Sequence, residues 1–312
     1  MAKVLAVCTS DRKGIQKTEV AEIVVKPEWG IEGDAHAGNW HRQVSLLAFQ
    51  KIEDFRAKGA QVEFGAFGEN IVAEGIDFSS LPVGSRFRIG DVLLELTQIG
   101  KECHSHCAIY HAVGDCIMPR EGVFTRVLEG GTVRPGDEIT LIPPAADRPF
   151  TAAVITLSDK GSQGLREDKS GPLICEMLEA KGYVVEETMI LPDEQGRIER
   201  QLKRLADQRQ LDLILTTGGT GFSQRDVTPE ATLAVCDRMA PGIAEAIRAY
   251  SLSITPRAML SRAASGIRKK TLIVNLPGSP KAVRESLEYI LSSLDHGLGI
   301  LRGTDGECGN QP

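Results

Sequence analysis

Seven residues near the middle of the chain, Pro143-Pro144-Ala145-Ala146-Asp147-Arg148-Pro149, constrain its fold more than any other stretch. Three prolines fix three φ angles and remove three backbone donors, so neither a helix nor a central strand runs through them. The stretch reads as a short, stiff linker. A chain of 312 residues is also too long for one ordinary core, and two domains of roughly 150 residues each are expected. We place a first domain at residues 1–143, the linker at 144–149, a second domain at 150–302 and a flexible polar tail at 303–312.

The hydrophobic period changes across the linker. Before it, Val20–Lys26, Arg86–Ile89, Val92–Thr97 and Glu138–Ile142 are β-branched or alternate apolar with polar, and Gly90-Asp91 and Gly136-Asp137 punctuate them. One helix is expected, at about Ala48–Lys58. The first domain is therefore read as β-rich and barrel-like. After the linker, strand and helix alternate. Ala152–Leu157, Val184–Leu191, Leu211–Leu215 and Thr271–Leu276 read as strands, with helical stretches at Pro229–Met239, Gly242–Leu252 and Lys281–Leu294. That order predicts an α/β domain, an open and mostly parallel sheet with helices on both faces.

Charge narrows the functional classes. Up to Ala146 there are 15 Lys and Arg against 20 Asp and Glu, and beyond it 21 against 22. Neither half has the basic excess of a nucleic-acid binder. No apolar run approaches the length of a membrane span, and the start leads directly into a strand, so a soluble, cytoplasmic protein with no membrane partner is expected. Seven cysteines, unevenly placed, do not resemble a secreted disulfide framework.

Ligands of open α/β sheets bind beyond the carboxyl ends of the strands, and three loops of the second half fall there. They are Ser158–Ser162, Thr216–Gly221 and Asn275–Pro280. Gly218, Gly219 and Gly221 allow a tight turn that exposes amide groups to an anion, although such glycines also serve plain strand-to-helix turns. Ser279 and Pro280 are good helix-entry residues and offer a positive helix end. Asp193 and Asp226 stand beside these loops. Each alone also reads as a turn or helix-start residue, but acids next to a phosphate site call for a divalent cation between them.

Taken together, Thr217-Gly218-Gly219-Thr220-Gly221-Phe222 and Arg225-Asp226-Val227-Thr228-Pro229-Glu230-Ala231-Thr232 resemble the signature of the MogA/MoaB family. The likeness extends through Ser158-Asp159, Asp168-Lys169-Ser170-Gly171, Leu191-Pro192-Asp193-Glu194, Pro241-Gly242, Leu260-Ser261-Arg262 and Asn275-Leu276-Pro277-Gly278-Ser279-Pro280. The resemblance implies molybdenum cofactor biosynthesis: a trimer that binds molybdopterin and MgATP and transfers AMP to the pterin phosphate, releasing pyrophosphate. It assigns catalysis and Mg2+ to Asp193 and Asp226. It assigns the nucleotide and pterin pocket to Ser158, Asp159, Ser170, Gly218, Gly219, Thr220, Gly221, Asn275, Pro277, Gly278 and Ser279. The rival reading is a non-catalytic molybdopterin or molybdenum cofactor carrier or sensor, against which both acids count.

The first half carries a denser cluster. Between Cys103 and Cys116 lie three cysteines and three histidines. Cys103, Cys107, His111 and Cys116 offer a zinc site, or one cysteine is a thiolate activated by a nearby histidine or Lys101. The stretches Gly30–Gly38, Gln43–Leu47, Gly65–Ile71, Leu81–Gly84 and Gly90-Asp91 resemble the MOSC domain. That resemblance implies a module that handles sulfur or binds molybdenum cofactor through one cysteine. Cys103 matches the position best, with Cys107 and Cys116 as alternates, because Glu102 stands where the usual pattern has proline. His36 is placed at the same site, as a ligand-orienting or a turn-stabilising residue. Partners are then molybdopterin, ATP and other proteins of molybdenum cofactor synthesis or molybdoenzymes.

Overall fold

The computed structural model describes residues 1–101, 110 and 115–305, and its chain folds as two compact units, Met1–Ala145 and Ala146–Pro312.

The first unit is built from β1 (Ala2–Thr9), β2 (Thr18–Val20), β3 (Ile23–Lys26), β4 (Gly30–Ile31), β5 (Val44–Ala48), β6 (Ile71–Glu74), β7 (Arg86–Ile89), β8 (Val92–Ile99), β9 (Val123–Glu129), β10 (Gly131–Val133) and β11 (Glu138–Ile142). Seven strands run in the order β11-β7-β8-β9-β5-β6-β1, and pairing of Ala2 with Ile139 joins β1 back to β11. The sheet is thus a closed barrel with no exposed edge among those seven. β2 extends it beyond β1, and β10, β3 and β4 form a small separate sheet. Within β5 the pleat sends Val44, Leu46 and Ala48 into one core. Leu47 goes to a second core, shared with Ile52 and Phe55 of the helix Phe49–Arg56. A strand covered on both faces reads as a continuous apolar run for this reason.

The second unit is a sheet in the order β13 (Val184–Leu191), β12 (Thr151–Leu157), β14 (Leu213–Thr217), β17 (Thr271–Leu276), β16 (Ser265–Arg268) and β15 (Arg238–Met239). The first four strands are parallel. Alternation divides their side chains between two cores. Ala152, Val154, Leu213, Leu215, Leu272 and Val274 meet the helices Ser170–Glu179 and Pro280–Arg302. Ala153, Ile155, Ile214 and Ile273 meet Gln195–Lys203 and Thr228–Val235. Among the described residues, no helix is long and apolar enough to cross a membrane.

Four details depart from the sequence reading. Val20–Lys26 is two strands, β2 on the barrel and β3 on the small sheet. The helix expected at Pro229–Met239 stops at Val235, because Cys236 turns extended and Arg238–Met239 pairs with β16. The sheet is mostly parallel as expected, but the short strands β16 and β15, which the sequence reading did not mark, add an antiparallel edge. The last helix runs on to Arg302, since Leu298 continues its buried stripe and Gly303, at φ +86°, supplies the left-handed cap.

Candidate functional site

Strands β12, β14 and β17 are parallel, so the segments leaving their carboxyl ends gather on one side of the second unit. A cleft of about 910 Å³ opens there. It is walled by Ser158, Asp159, Asp168, Ser170, Asp193, Gly218, Gly219, Arg225, Asp226, Gly278 and Ser279, among others.

The glycine turn is sterically obligatory. Gly218 and Gly219 have φ of +96° and +62°. A β-carbon on Gly218 meets the Leu157 carbonyl oxygen at 2.5 Å, and one on Gly219 collides with Thr228 Oγ1. Thr228 also fixes the turn, donating from Oγ1 to the Gly218 carbonyl at 3.0 Å and from its amide to that of Gly219 at 3.2 Å. Opposite, Ser279 caps the helix Pro280–Arg302 by accepting from the Ala282 amide. Ser170 Oγ donates to the Gly278 carbonyl at 2.9 Å, tying this helix start to that of Ser170–Glu179.

Three of the carboxylates on the cleft wall, Asp159, Asp193 and Asp226, interact with one another. Asp159 and Asp193 exchange hydrogen bonds, each amide donating to the other's side chain at 3.0 Å. Asp226 Oδ2 accepts from the Ser223 amide at 3.0 Å, which folds the loop back toward Gly221. Burial raises the Asp193 carboxyl above its ordinary value, and the charges of Asp159 and Asp226 add to the shift. The hydrogen bond from Arg225 has the opposite effect on Asp159 and lowers it. Asp168 stands apart from this group, accepting from Thr156 Oγ1 at 2.6 Å and from the amides of Ser170 and Gly171 at 3.0 and 2.9 Å.

The acids fit a hard, oxygen-seeking cation such as Mg2+. Among the described residues no three such side chains cage a metal by themselves. A cation held by Asp193 and Asp226 therefore needs further oxygens from substrate phosphate and water, the usual arrangement for Mg2+.

Four residues assigned to the pocket from sequence do not line the cleft. Asn275 is fully buried, donating to Thr216 Oγ1 and Thr232 Oγ1 and accepting from the Ala264 amide. Thr220 and Gly221 offer their carbonyls to the Arg262 amide and Nε, and the Pro277 carbonyl accepts from Thr217 Oγ1. Two arginines carry roles that the sequence reading left unassigned. Arg262 bonds the carbonyls of Gly221 and Asp226 and pairs with Glu230, holding the loop that presents Asp226. Arg225 grips Asp159. Its signal was its place beside Asp226, since a guanidinium next to an acid and a phosphate turn is rarely idle.

In the first unit, His36 sits beside a buried acid. Asp34 takes Lys17 Nζ at 2.5 Å, Asn70 Nδ2 at 3.0 Å and the Ser10 amide at 3.3 Å on Oδ2. Its Oδ1 takes the His36 amide at 2.8 Å and faces His36 Nδ1 at 3.2 Å. Burial pushes the Asp34 carboxyl up, but the bonds from His36 and Lys17 outweigh it and hold the group well below the usual carboxylate range. An ionised Asp34 is an acceptor only, so His36 Nδ1 donates to it and the carboxylate orients the ring. Cys103 and Cys107, and the zinc alternative built on them with His111, lie outside the described residues. Cys116 is buried in the core shared with Phe55, Phe67 and Met118. Cys8, buried near Lys17, has its thiol pushed up to about 12.

Comparison with known proteins agrees with both halves of this description. Residues 153–296 match the family described as "Probable molybdopterin binding domain", and residues 33–140 match the MOSC domain. The molybdopterin adenylyltransferase of Helicobacter pylori (strain ATCC 700392 / 26695) is 44% identical over 154 residues, which are 48% of this chain and 86% of that protein. That of Escherichia coli (strain K12) is 49% identical over 139 residues, 44% of this chain and 71% of that protein. The crystal structure of the molybdopterin biosynthesis enzyme MoaB from Thermus thermophilus is 47% identical, with a TM-score of 0.48, covering 49% of this chain and 97% of that one. Through its second unit the chain belongs to the family of the molybdopterin adenylyltransferases, and it joins to that unit a MOSC domain.

Proposed function

We propose that the second unit transfers AMP from ATP to the terminal phosphate of molybdopterin, with Mg2+ as the metal. The observation that carries this reading is the meeting of a rigid glycine turn, a capped helix start and the acids Asp193 and Asp226 in one cleft. An oxygen of the pterin phosphate attacks the α-phosphorus of ATP. The bond to the bridging oxygen breaks, and pyrophosphate leaves with its electron pair.

When bound, Mg2+ neutralises phosphate charge and favours expulsion of pyrophosphate. The chain's own part is positioning. Gly218 and Gly219 let a phosphate approach the backbone closely, and the helix start at Ser279 offers a positive end to a second anion. Asp193 and Asp226, which lie beside that turn, would hold the cation. Burial and the neighbouring charges of Asp159 and Asp226 raise the Asp193 carboxyl, and a cation beside it would offset that repulsion. No covalent protein intermediate is needed, so alignment and electrostatics supply the rate.

The MOSC domain binds or passes on a cofactor, metal or sulfur species, using Cys103 and the Asp34–His36 pair. The working assembly is a cytoplasmic homotrimer. Incubating the intact protein with molybdopterin, MgCl2 and α-labelled ATP, beside Asp226→Ala, tests the central step. Labelled adenylylated pterin from the first and none from the second is expected. Pterin binding without product replaces the enzyme reading with a carrier or sensor.

A further inference from the structure

Arg225 projects into the cleft from the loop between the glycine turn and the helix Thr228–Val235, and its side chain is 57% exposed. It is nevertheless committed. Nε and Nη2 bond the two oxygens of Asp159 at 3.0 and 2.7 Å, a bidentate pair. Asp159 is tied in turn to Asp193 by their reciprocal amide bonds. Asp193 is therefore grouped with the carboxylates of Asp159 and Asp226, while the guanidinium of Arg225 is already occupied by one of them. Among the described residues, the cleft-wall bases Lys160, Arg166 and Lys169 make no such contact with Asp159.

We propose that Arg225 is a phosphate-binding residue held in reserve by Asp159, and that exchange of its partner couples nucleotide binding to cation binding. This inference rests on the nucleotide-binding reading above. A phosphate arriving alone must take Arg225 from Asp159 and leave that carboxylate unpaired beside Asp193. A cation arriving with the phosphate compensates the freed carboxylate, so the exchange becomes favourable only when both bind. A guanidinium suits either partner, since carboxylate and phosphate present the same pair of oxygens to its fork. The coupling is thermodynamic and reciprocal: nucleotide strengthens cation binding by the factor with which cation strengthens nucleotide.

The test is a calorimetric titration of the full-length chain with ATP, in EDTA and in excess MgCl2, for the wild type, Asp159→Asn, Arg225→Ala and the double variant. Asparagine keeps an oxygen to accept from the Asp193 amide but surrenders the bidentate grip on Arg225. Asp159→Asn is expected to bind metal-free ATP roughly tenfold more tightly than the wild type, about the worth of one charge-assisted pair. Its gain on adding Mg2+ shrinks by a similar factor. Arg225→Ala is expected to weaken ATP binding in MgCl2 by roughly tenfold. Simple loss of a negative charge predicts the same gain in the double variant, whereas partner exchange predicts none, so the cycle separates the two. A gain that survives removal of Arg225, or unchanged metal-free binding in Asp159→Asn, overturns the proposal. A wild type that binds no ATP under either condition overturns the nucleotide reading itself.

Discussion

Each unit centres its candidate site on a partly or fully enclosed aspartate, and the two are treated in opposite ways. Asp34 receives Lys17, Asn70, Ser10 and His36, so the fold itself completes its charge. Asp193 receives the Asp159 amide but faces two further carboxylates, and its charge is left for something else to complete. A completed acid is a structural part that orients its neighbour, here the ring of His36. An incomplete one suits the cation-binding role proposed for Asp193. Stability and function should separate along this line when each acid is altered.

The largest effect is expected at Asp34. Asp34→Ala strands Lys17, whose side chain is 1% exposed, and removes the acceptor of Asn70 and His36. Breaking a buried pair from one side costs about 3–5 kcal/mol. Urea unfolding should show that loss in the first unit alone, leaving the second unit's transition in place. A loss below about 1 kcal/mol, the scale of an exposed pair, means that the pair is not the keystone described.

Asp193→Asn should do the reverse. Adenylylated product is expected to fall on the order of 10²–10³-fold, the scale for removing one preorganised electrostatic group. The second unit should unfold no more easily than the wild type, because a neutral amide removes repulsion from Asp159 and Asp226. A parallel loss of stability would sink the contrast between the two acids.

How much of this was legible beforehand differs between the units for a physical reason. The loops of the second unit follow strands whose apolar runs are plain in sequence, so Ser158, Gly218, Gly219 and Ser279 could be placed at one sheet end before any coordinates. Asn275 was assigned to the pocket through the family resemblance, and its burial could not be read from that motif. Alternation along β17 puts it on the face of Ile273, inside the sheet, and its amide serves Thr216 and Thr232. The β15–β16 edge was missed because strands of two and four residues leave no period to detect. In the first unit, Asp34 and His36 were visible as a motif, but Lys17 was not. Nothing local distinguishes a buried lysine, and its partner Asp34 lies 17 residues away, with β2, β3 and β4 between them.

A smaller test concerns pH. Glu69 lies buried at the same end of the first unit, accepting from the amides of Gly65 and Phe67 at 2.8 and 3.0 Å. Burial raises its carboxyl from 4.5 to about 7. For an acid raised on folding, the folded state binds the extra proton. Stability is therefore lost as pH climbs from about 4.5 towards 7, by up to about 3 kcal/mol over the window. Calorimetry should find the first unit's transition, assigned through Asp34→Ala, moving upward from pH 7 to pH 5. Asp34, lowered on folding, loses its contribution only below the ordinary carboxylate range, so it does not mask the trend. A flat profile means that burial does not raise the Glu69 carboxyl.

The least effect should come from glycines, and here too the units differ. Gly68 has φ of +88° with open space where a β-carbon would stand, whereas Gly219, at +62°, has Thr228 Oγ1 and Asp193 Oδ1 in that space. Alanine at Gly68 pays only the left-handed backbone cost, about 1–2 kcal/mol. Alanine at Gly219 adds a collision that the backbone relieves only by moving the turn away from Thr228. Its stability loss should exceed that of Gly68→Ala by about 1 kcal/mol, in the range of overpacking, with product formation falling further than the unfolding data alone explain. Equal losses at the two positions would mean that the turn yields freely, and a turn that yields is no rigid seat for a phosphate.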